Sequence, residues 1–435
     1  MIKRHIIITA ILLTNIIFSY SQSVTNSPYT RYGVGEIDRN GFNNSKAMGG
    51  LSTGLRTKNQ INYMNPAAIS AQDTMSFIFD IGIGAITKDL STETQNLNYK
   101  NFAFDHLAIS FPIKSWWFAS VGITPYSKIG YNIQQVSEFE HIDSTNVYGY
   151  YYGKGGINQI FLSNSFDLSE NFSVGLNLNF LFGSIEQYDQ FFLDRQDFYC
   201  TIVEDKISFN DINFDLGVQY HKAIQNDYFL VAGLVYSSKT TFNSTRNKTV
   251  FMAENYALYG ENVYAYLNSY ESKYDTISTE AQNNYKIEIP AKYSIGFSFG
   301  KKDKYTVGID YSYQDWTGVE SFSDNKSFDS DHLVNIGLEY IPNKYSIRNY
   351  FNHISYRTGF YYNNSYLTLN DKQINNYGIT FGLGFPLGNQ RTSLNMSYTY
   401  GKRGTTENEL IEETYSSFGI NLTLYDFWFI KRKFQ

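Results

Sequence analysis

Histidine beside aspartate is the combination in this sequence that comes nearest to acid–base chemistry. Asp105-His106 and Asp331-His332 are adjacent pairs, and His141, His221 and His353 complete the set once His5 is left aside. A working dyad needs carboxylate and imidazole within hydrogen-bond reach of one another. Adjacent side chains on a strand point to opposite faces, so neither pair is expected to form one. The two histidines also fall on different phases. His106 alternates with Leu107 and Ile109 and is expected to face a lumen, whereas His332 keeps step with Val334 and Ile336 on the lipid face. Neither G-x-S-x-G nor H-E-x-x-H occurs. Asp324, Asn325, Asp329 and Asp331 supply oxygens but not the fixed offsets and central glycine of a calcium loop, so they read as solvated surface charge. Cys200 is the sole cysteine, which rules out an intramolecular disulfide or thiolate cluster, and it reads as an incidental loop residue. No catalytic residue, metal site or cofactor is assigned, and the protein is read as a non-enzyme.

A second set of chemically capable residues shares the lumen phase: Asp80, Asp215, Asp310, Lys292, Glu339 and Arg357. They either line a pore or pair across a packed interior. What positions them is clearest from Phe172 to Gly183. Phe172, Val174, Leu176, Leu178, Phe180 and Phe182 alternate with mostly small or polar residues over a full membrane-crossing length of about 9–11 residues. Such a strand separates two media, and in lipid an open sheet would leave amides unpaired, so the sheet must close. The composition agrees. Aromatics make up 18% of the 435 residues, with 39 Tyr and 34 Phe, and a net charge of −6 gives no reason to expect a nucleic-acid partner.

Residues 1–21 read as a signal peptide, with Lys3 and Arg4 before an apolar run from Ile6 to Phe18 and Ser19-Tyr20-Ser21 before the cut. Residues 22–73 carry Gly33, Gly35, Gly41, Gly49, Gly50 and Gly54 and no strand period. With buryable Met48, Leu51, Leu55, Ile61, Tyr63 and Met64, they read as a plug folded in the lumen. Residues 74–435 form the barrel, with about fourteen alternating segments near 75–86, 103–113, 117–134, 154–167, 171–185, 206–220, 227–240, 285–299, 304–316, 328–341, 351–361, 374–387, 392–402 and 412–425. Connections after odd segments are long, at 87–102, 135–153, 186–205, 241–284, 317–327, 362–373 and 403–411; most after even ones are short. Outer-membrane barrels have short periplasmic turns and longer external loops, which puts both termini in the periplasm. The expected fold class is all-β, a transmembrane antiparallel barrel of about 14 strands with an N-terminal plug. An aromatic, basic tail follows the last segment: Phe427, Trp428, Phe429, Lys431, Arg432, Lys433 and Phe434.

Ala47-Met48-Gly49-Gly50, then Asn65-Pro66-Ala67 and a first strand from Met75, resembles the start of the FadL/OMPP1/TodX family. Ser27-Pro28-Tyr29-Thr30-Arg31-Tyr32-Gly33 resembles a Bacteroidota version of it. The resemblance implies a fourteen-stranded barrel in the cell outer membrane. It also implies passive uptake of hydrophobic small molecules, fatty-acid-like or aromatic, with sideways release into the bilayer. Ala47, Met48, Gly49, Gly50, Asn65, Pro66 and Ala67 would then be plug and gate residues. Pro125 cannot donate to a ladder and marks either a lateral portal or a strand end above the membrane. The partners implied are outer-membrane lipid and a hydrophobic ligand. The alternative is a non-transport barrel that binds a surface or type IX secretion protein through its external loops. An apolar tunnel continuous from the loops to the wall would favour the channel, and a solid lumen with an exposed aromatic loop patch, above all in 241–284 with its many Tyr, the partner.

Overall fold

Each of the fourteen alternating segments becomes one strand of a single antiparallel barrel. The structure, a computed structural model, describes residues 25–139, 145–193, 199–253, 274–319, 328–388 and 391–427. Strands β1 to β6 are Ser76–Ser91, Asn96–Lys114, Trp117–Phe139, Thr145–Ser169, Phe172–Leu193 and Cys200–Ala223. Strand β7 runs as Tyr228–Ser237 and Thr240–Ala253, and β8 as Tyr274–Ile289 and Lys292–Lys301. Each of the two bends once, β8 at Pro290, which has no amide hydrogen to give. Strands β9 to β14 are Tyr305–Asp315, Ser330–Tyr340, Ser355–Leu369, Lys372–Leu387, Thr392–Arg403 and Glu412–Phe427. The seam closes between β14 and β1, in register from Glu412↔Ser91 to Phe427↔Ser76.

Among the described residues, the expected loops 87–102, 135–153, 186–205, 241–284 and 362–373 are largely strand, whereas 403–411 is not. β1 and β2 meet at a turn over Thr92–Gln95, and β11 and β12 at Asn370-Asp371. Strand β4 has 25 residues, more than twice what a bilayer crossing requires. The reason is a change of phase along the strands. Near the short turns, large apolar side chains point outward and are exposed, among them Ile83, Leu162, Phe180, Phe214, Phe297 and Phe381. Farther along, they point inward and form one buried cluster that includes Ile129, Tyr131, Ile185, Ile207, Phe209, Phe242 and Trp316. Trp316 is fully buried and stacks on Tyr366 at 4.2 Å. Strand β6 shows both tiers: Ile207 and Phe209 face in, while Ile212, Phe214 and Leu216 face out. The first tier is suited to lipid outside and polar groups inside, the second to water outside and an apolar core inside.

At the short-turn end Trp116, Trp117 and Phe166 group together, with Lys114 over the Trp116 ring, an interfacial arrangement. Cys200, expected in a loop, begins β6 and is buried with Tyr188, Ile202 and Phe251. The signal segment 1–21, His141, Asp324, Asn325, the middle of 241–284 and the tail from 428 lie outside the described residues.

Candidate functional site

Residues 25–73, built from short turns and one-turn helices, lie against inward-facing groups of strands all round the barrel. Ion pairs tie them down at several points: Arg31–Asp189 of β5 at 3.7 Å, Glu36–Lys88 of β1 at 2.9 Å, Arg39–Asp331 of β10, Lys46–Asp105 of β2 and Arg56–Asp167 of β4 at 3.5 Å. Asp310 of β9 accepts three main-chain hydrogen bonds, from Ser52 and Thr53 at 2.6 Å and Gly54 at 3.0 Å. Buried charges are retained in low dielectric only with such partners.

The strands make room for this segment with glycine. A Cβ on Gly175 of β5, Gly217 of β6, Gly233 of β7, Gly296 of β8, Gly337 of β10, Gly359 of β11, Gly382 of β12 or Gly419 of β14 would overlap residues 43–67, in most cases their backbone. Backbone therefore packs directly on backbone at β5, β7, β8, β10 and β11.

The residues singled out from the sequence occupy distinct places on that contact. Ala47 accepts a hydrogen bond from Thr380 Oγ1 at 3.0 Å, and Gly49 donates to the same hydroxyl at 2.9 Å. Met48 packs with Leu51 and Leu55 and meets Gly337. Gly49 and Gly50 have φ of 70° and 86°, where a side chain would be strained. Asn65 caps the short helix Pro66–Ala71 by accepting from Ala67 N at 3.1 Å, and its Nδ2 donates to Thr53 O at 2.8 Å. Pro66 meets Gly175 and Gly217, and Ala67 O accepts from Ser165 Oγ at 3.1 Å. The two motifs thus contact different arcs of the wall, β10–β12 and β4–β7.

Pro125 pairs with Asn158, which pairs with Phe182, the last of the outward apolar residues in the β5 run. A register shift follows, leaving Tyr126 unpaired with β4. On the other side of β3, the ladder with β2 runs only from Lys114↔Trp117 to Leu107↔Ile123. Beyond it the two strands part, and among the described residues β2 from Asn96 to His106 has its ladder with β1. The β3 lip is met not by Asn65–Ala67 but by residues 27–38. Glu36 and Ile37 pair with Lys128 and Ser127, Asp38 N donates to Tyr126 O at 2.9 Å, and Ser27 N donates to Gly130 O at 2.8 Å. A cavity of about 190 Å³ lies inside, lined by both lips (Phe104 and Lys128) and by charged Glu36, Asp38, Arg39 and Lys46.

Asp105 and His106 correct the strand-parity expectation. The β1–β2 register shifts between Gly82↔His106 and Ile83↔Phe104, so Asp105 is an extra, bulged residue. Both side chains turn inward. His106 Nδ1 lies 2.8 Å from Asp105 Oδ2 and Nε2 lies 2.9 Å from Asp80 Oδ1, with Phe42 stacked on the ring at 3.7 Å. The sequence held a signal for this: outward apolar residues step from Phe102 and Phe104 to Leu107, Ile109 and Phe111, a one-residue slip in phase. Every polar atom of the imidazole is engaged and the ring is fully buried, which makes the cluster a brace rather than an open site. His332 stays on the outer phase, bonded to Tyr311 at 2.8 Å. Of the other lumen charges, Arg357 pairs with Glu339 at 2.6 Å, and Asp215 accepts from Asn179 at 2.7 Å. Among the described residues no group of His, Cys, Asp and Glu has the geometry to hold a metal.

Asp73 fastens the end of the segment, accepting from Tyr425 Oη at 2.8 Å and from Lys58 at 3.1 Å. Burial raises the pKa of this carboxyl, but the Tyr425 hydroxyl and Lys58 charge outweigh it and hold it below its ordinary 3.8. A lowered folded-state value means the stabilisation is present above the unfolded pKa and lost as pH falls through the folded one. Tyr425→Phe is expected to flatten the loss of stability below about pH 4, read from unfolding midpoints against pH; an unchanged profile would refute the role given to this contact.

The family model described as BamG matches residues 1–435. No curated protein matches the chain. Among solved structures, the fold is similar to the CymD monoaromatic hydrocarbon channel (16% identity, 90% of this chain and 97% of that one, TM-score 0.56). It is also similar to the Ralstonia pickettii toluene transporter TbuX (14%, 89% and 98%, 0.58) and to a Pseudomonas aeruginosa FadL homologue (12%, 87% and 96%, 0.56).

Proposed function

The chain belongs to the BamG family, and from that premise we propose that it is an outer-membrane barrel that serves as a docking or assembly component of a surface complex rather than as a conduit. The observation that carries this reading is the packed interior. Residues 43–67 lie backbone-to-backbone on the glycine belt, ion pairs fix the segment from several sides, and an apolar core fills the far tier. On this reading residues 25–73 are a permanent plug, 74–435 are the barrel, and the short turns and both termini face the periplasm, as short turns do in such barrels. The strands that outrun the membrane then form an external platform for a protein partner.

A second reading has one specific observation in its favour. The pairing of β2 with β3 stops near Pro125, next to a cavity, and the solved neighbours include hydrocarbon channels. A hydrophobic molecule would enter or leave there, with Pro125 as portal and the 27–38 segment as gate. The charged lining of the cavity argues against it, because an apolar ligand would strip water from Arg39, Lys46 and Asp38 without replacing their hydrogen bonds.

Proteoliposome uptake of radiolabelled toluene and of a medium-chain fatty acid separates the two. The docking role predicts uptake equal to that of empty vesicles. Saturable uptake abolished by a cross-link between the two lips would overturn it in favour of the channel.

A further inference from the structure

Among the described residues, no strand pairs with one side of the part of β2 that leaves β3, which makes that part a sheet edge. From the geometry we infer that this edge, Asn96 to Phe104, binds an extended β-strand of a partner polypeptide by continuing the ladder. The inference rests on the docking role proposed above and names its mode of recognition.

The turn bond from Thr92 N to Gln95 O sets which groups point where. In an antiparallel pair, bonded and non-bonded residues alternate. Counting along the register from that turn, Leu97, Tyr99, Asn101 and Ala103 bond to β1. The main-chain groups of Asn98, Lys100, Phe102 and Phe104 therefore face the gap. Phe104 and Phe102 pair with Ile83 and Ala85 of β1, within and at the outer end of its outward apolar run. Lipid cannot satisfy amides at that depth, so each one left bare is costly. A polypeptide backbone is the chemistry that matches a row of alternating donors and acceptors.

Edge strands are ordinarily guarded by charge, proline or a bulge along their length. Here Asn96-Leu97-Asn98-Tyr99-Lys100-Asn101-Phe102-Ala103-Phe104 carries one lysine and no proline, and the bulge at Asp105 comes only where the edge ends. Leu97 and Phe102 are 53% and 65% exposed, placing apolar side chains beside the free ladder. The opposite lip shows that strand addition occurs in this breach, because Glu36 and Ile37 already pair with β3. They cover two residues and leave the β2 edge untouched.

The test uses the full chain in lipid nanodiscs and a synthetic peptide copying Ser127–Gln135, the stretch of β3 that would continue the ladder. The amides of Asn98, Lys100 and Phe102 are expected to exchange fast in the free protein and at least tenfold more slowly at saturating peptide. Lys100→Pro removes one gap-facing donor and spares the bonds to β1. It should weaken peptide binding at least tenfold with an unchanged unfolding temperature. Protection of those amides without peptide, or binding indifferent to Lys100→Pro, would overturn the inference. So would self-association that Lys100→Pro abolishes, since the occupant would then be a second copy. Peptide protection together with saturable ligand uptake would sink the docking role and leave the edge site standing; no protection and no uptake would do the reverse.

Discussion

Gly359→Val is expected to yield a barrel that no longer holds its N-terminal segment. A Cβ at 359 would overlap the main chain of Met48 and Gly49, and neither side can retreat. Strand β11 is laddered to β10 and β12 on both flanks, while Gly49 and Ala47 are bonded to Thr380. Overpacking of a well-packed core costs about 1–3 kcal/mol where side chains adjust, and backbone against backbone leaves less to adjust. Pairing it with Gly175→Val, which meets Pro66 and Ala67 on the other arc, should bring the loss to ~3 kcal/mol or more. The readout is trypsin cleavage after Arg56 and Lys58 in detergent, slow in the parent and fast in the variants. Gly84→Ala is the control, because a Cβ there finds nothing nearer than Phe418 O at 3.7 Å. Equal protection of the double variant and the parent would show that the segment is not wedged against the wall.

Asp310→Ala is expected to be nearly as damaging by a different route. The carboxylate is the acceptor for three successive amides, and removing it leaves Ser52, Thr53 and Gly54 without their partner in a buried place. At about 1–3 kcal/mol for each orphaned donor, less what entering water restores, the cost is on the order of 3–6 kcal/mol. Asp310→Asn keeps one carbonyl oxygen and should fall between the two. Gly54 also gives its carbonyl to Ser298 at 2.7 Å, so loosening there should spread to β8. Unfolding midpoints in guanidinium, with exchange at amides 52–54, measure both effects. An Asp310→Ala barrel with parental stability would mean that water alone satisfies that turn.

These two variants bear on the choice between conduit and docking component. A removable plug would tolerate crowding at the wall or loss of one anchor; a segment that is part of the fold would not. Partitioning the interior into a polar, ion-paired tier and an apolar tier leaves charged groups to line the space that remains beside the breach.

Much of this architecture is legible from the sequence. Alternation in stretches such as Phe172 to Gly183 depends only on each residue and the medium it faces, so it identifies the strands, their number and the lipid side one strand at a time. The glycines and the missing strand period of 22–73 are likewise legible in the letters, but not the pairing of Glu36 and Ile37 with β3. Three decisions belong to the tertiary structure. The reversal of phase in β6, from Ile207 and Phe209 to Ile212 and Phe214, is present in the letters, but only the other strands show that those first residues meet a shared core rather than ending in a loop. The bulge that turns Asp105 and His106 to the same side exists only relative to β1, because an extra residue is defined by the partner it fails to match. The length of the breach depends on which backbone wins the β3 edge. Residues 27–38, far away in sequence, take that edge. Side-chain phase is a property of one chain segment and its solvent, whereas hydrogen-bond partnership is a property of two segments, and the second is settled only when the whole barrel has closed.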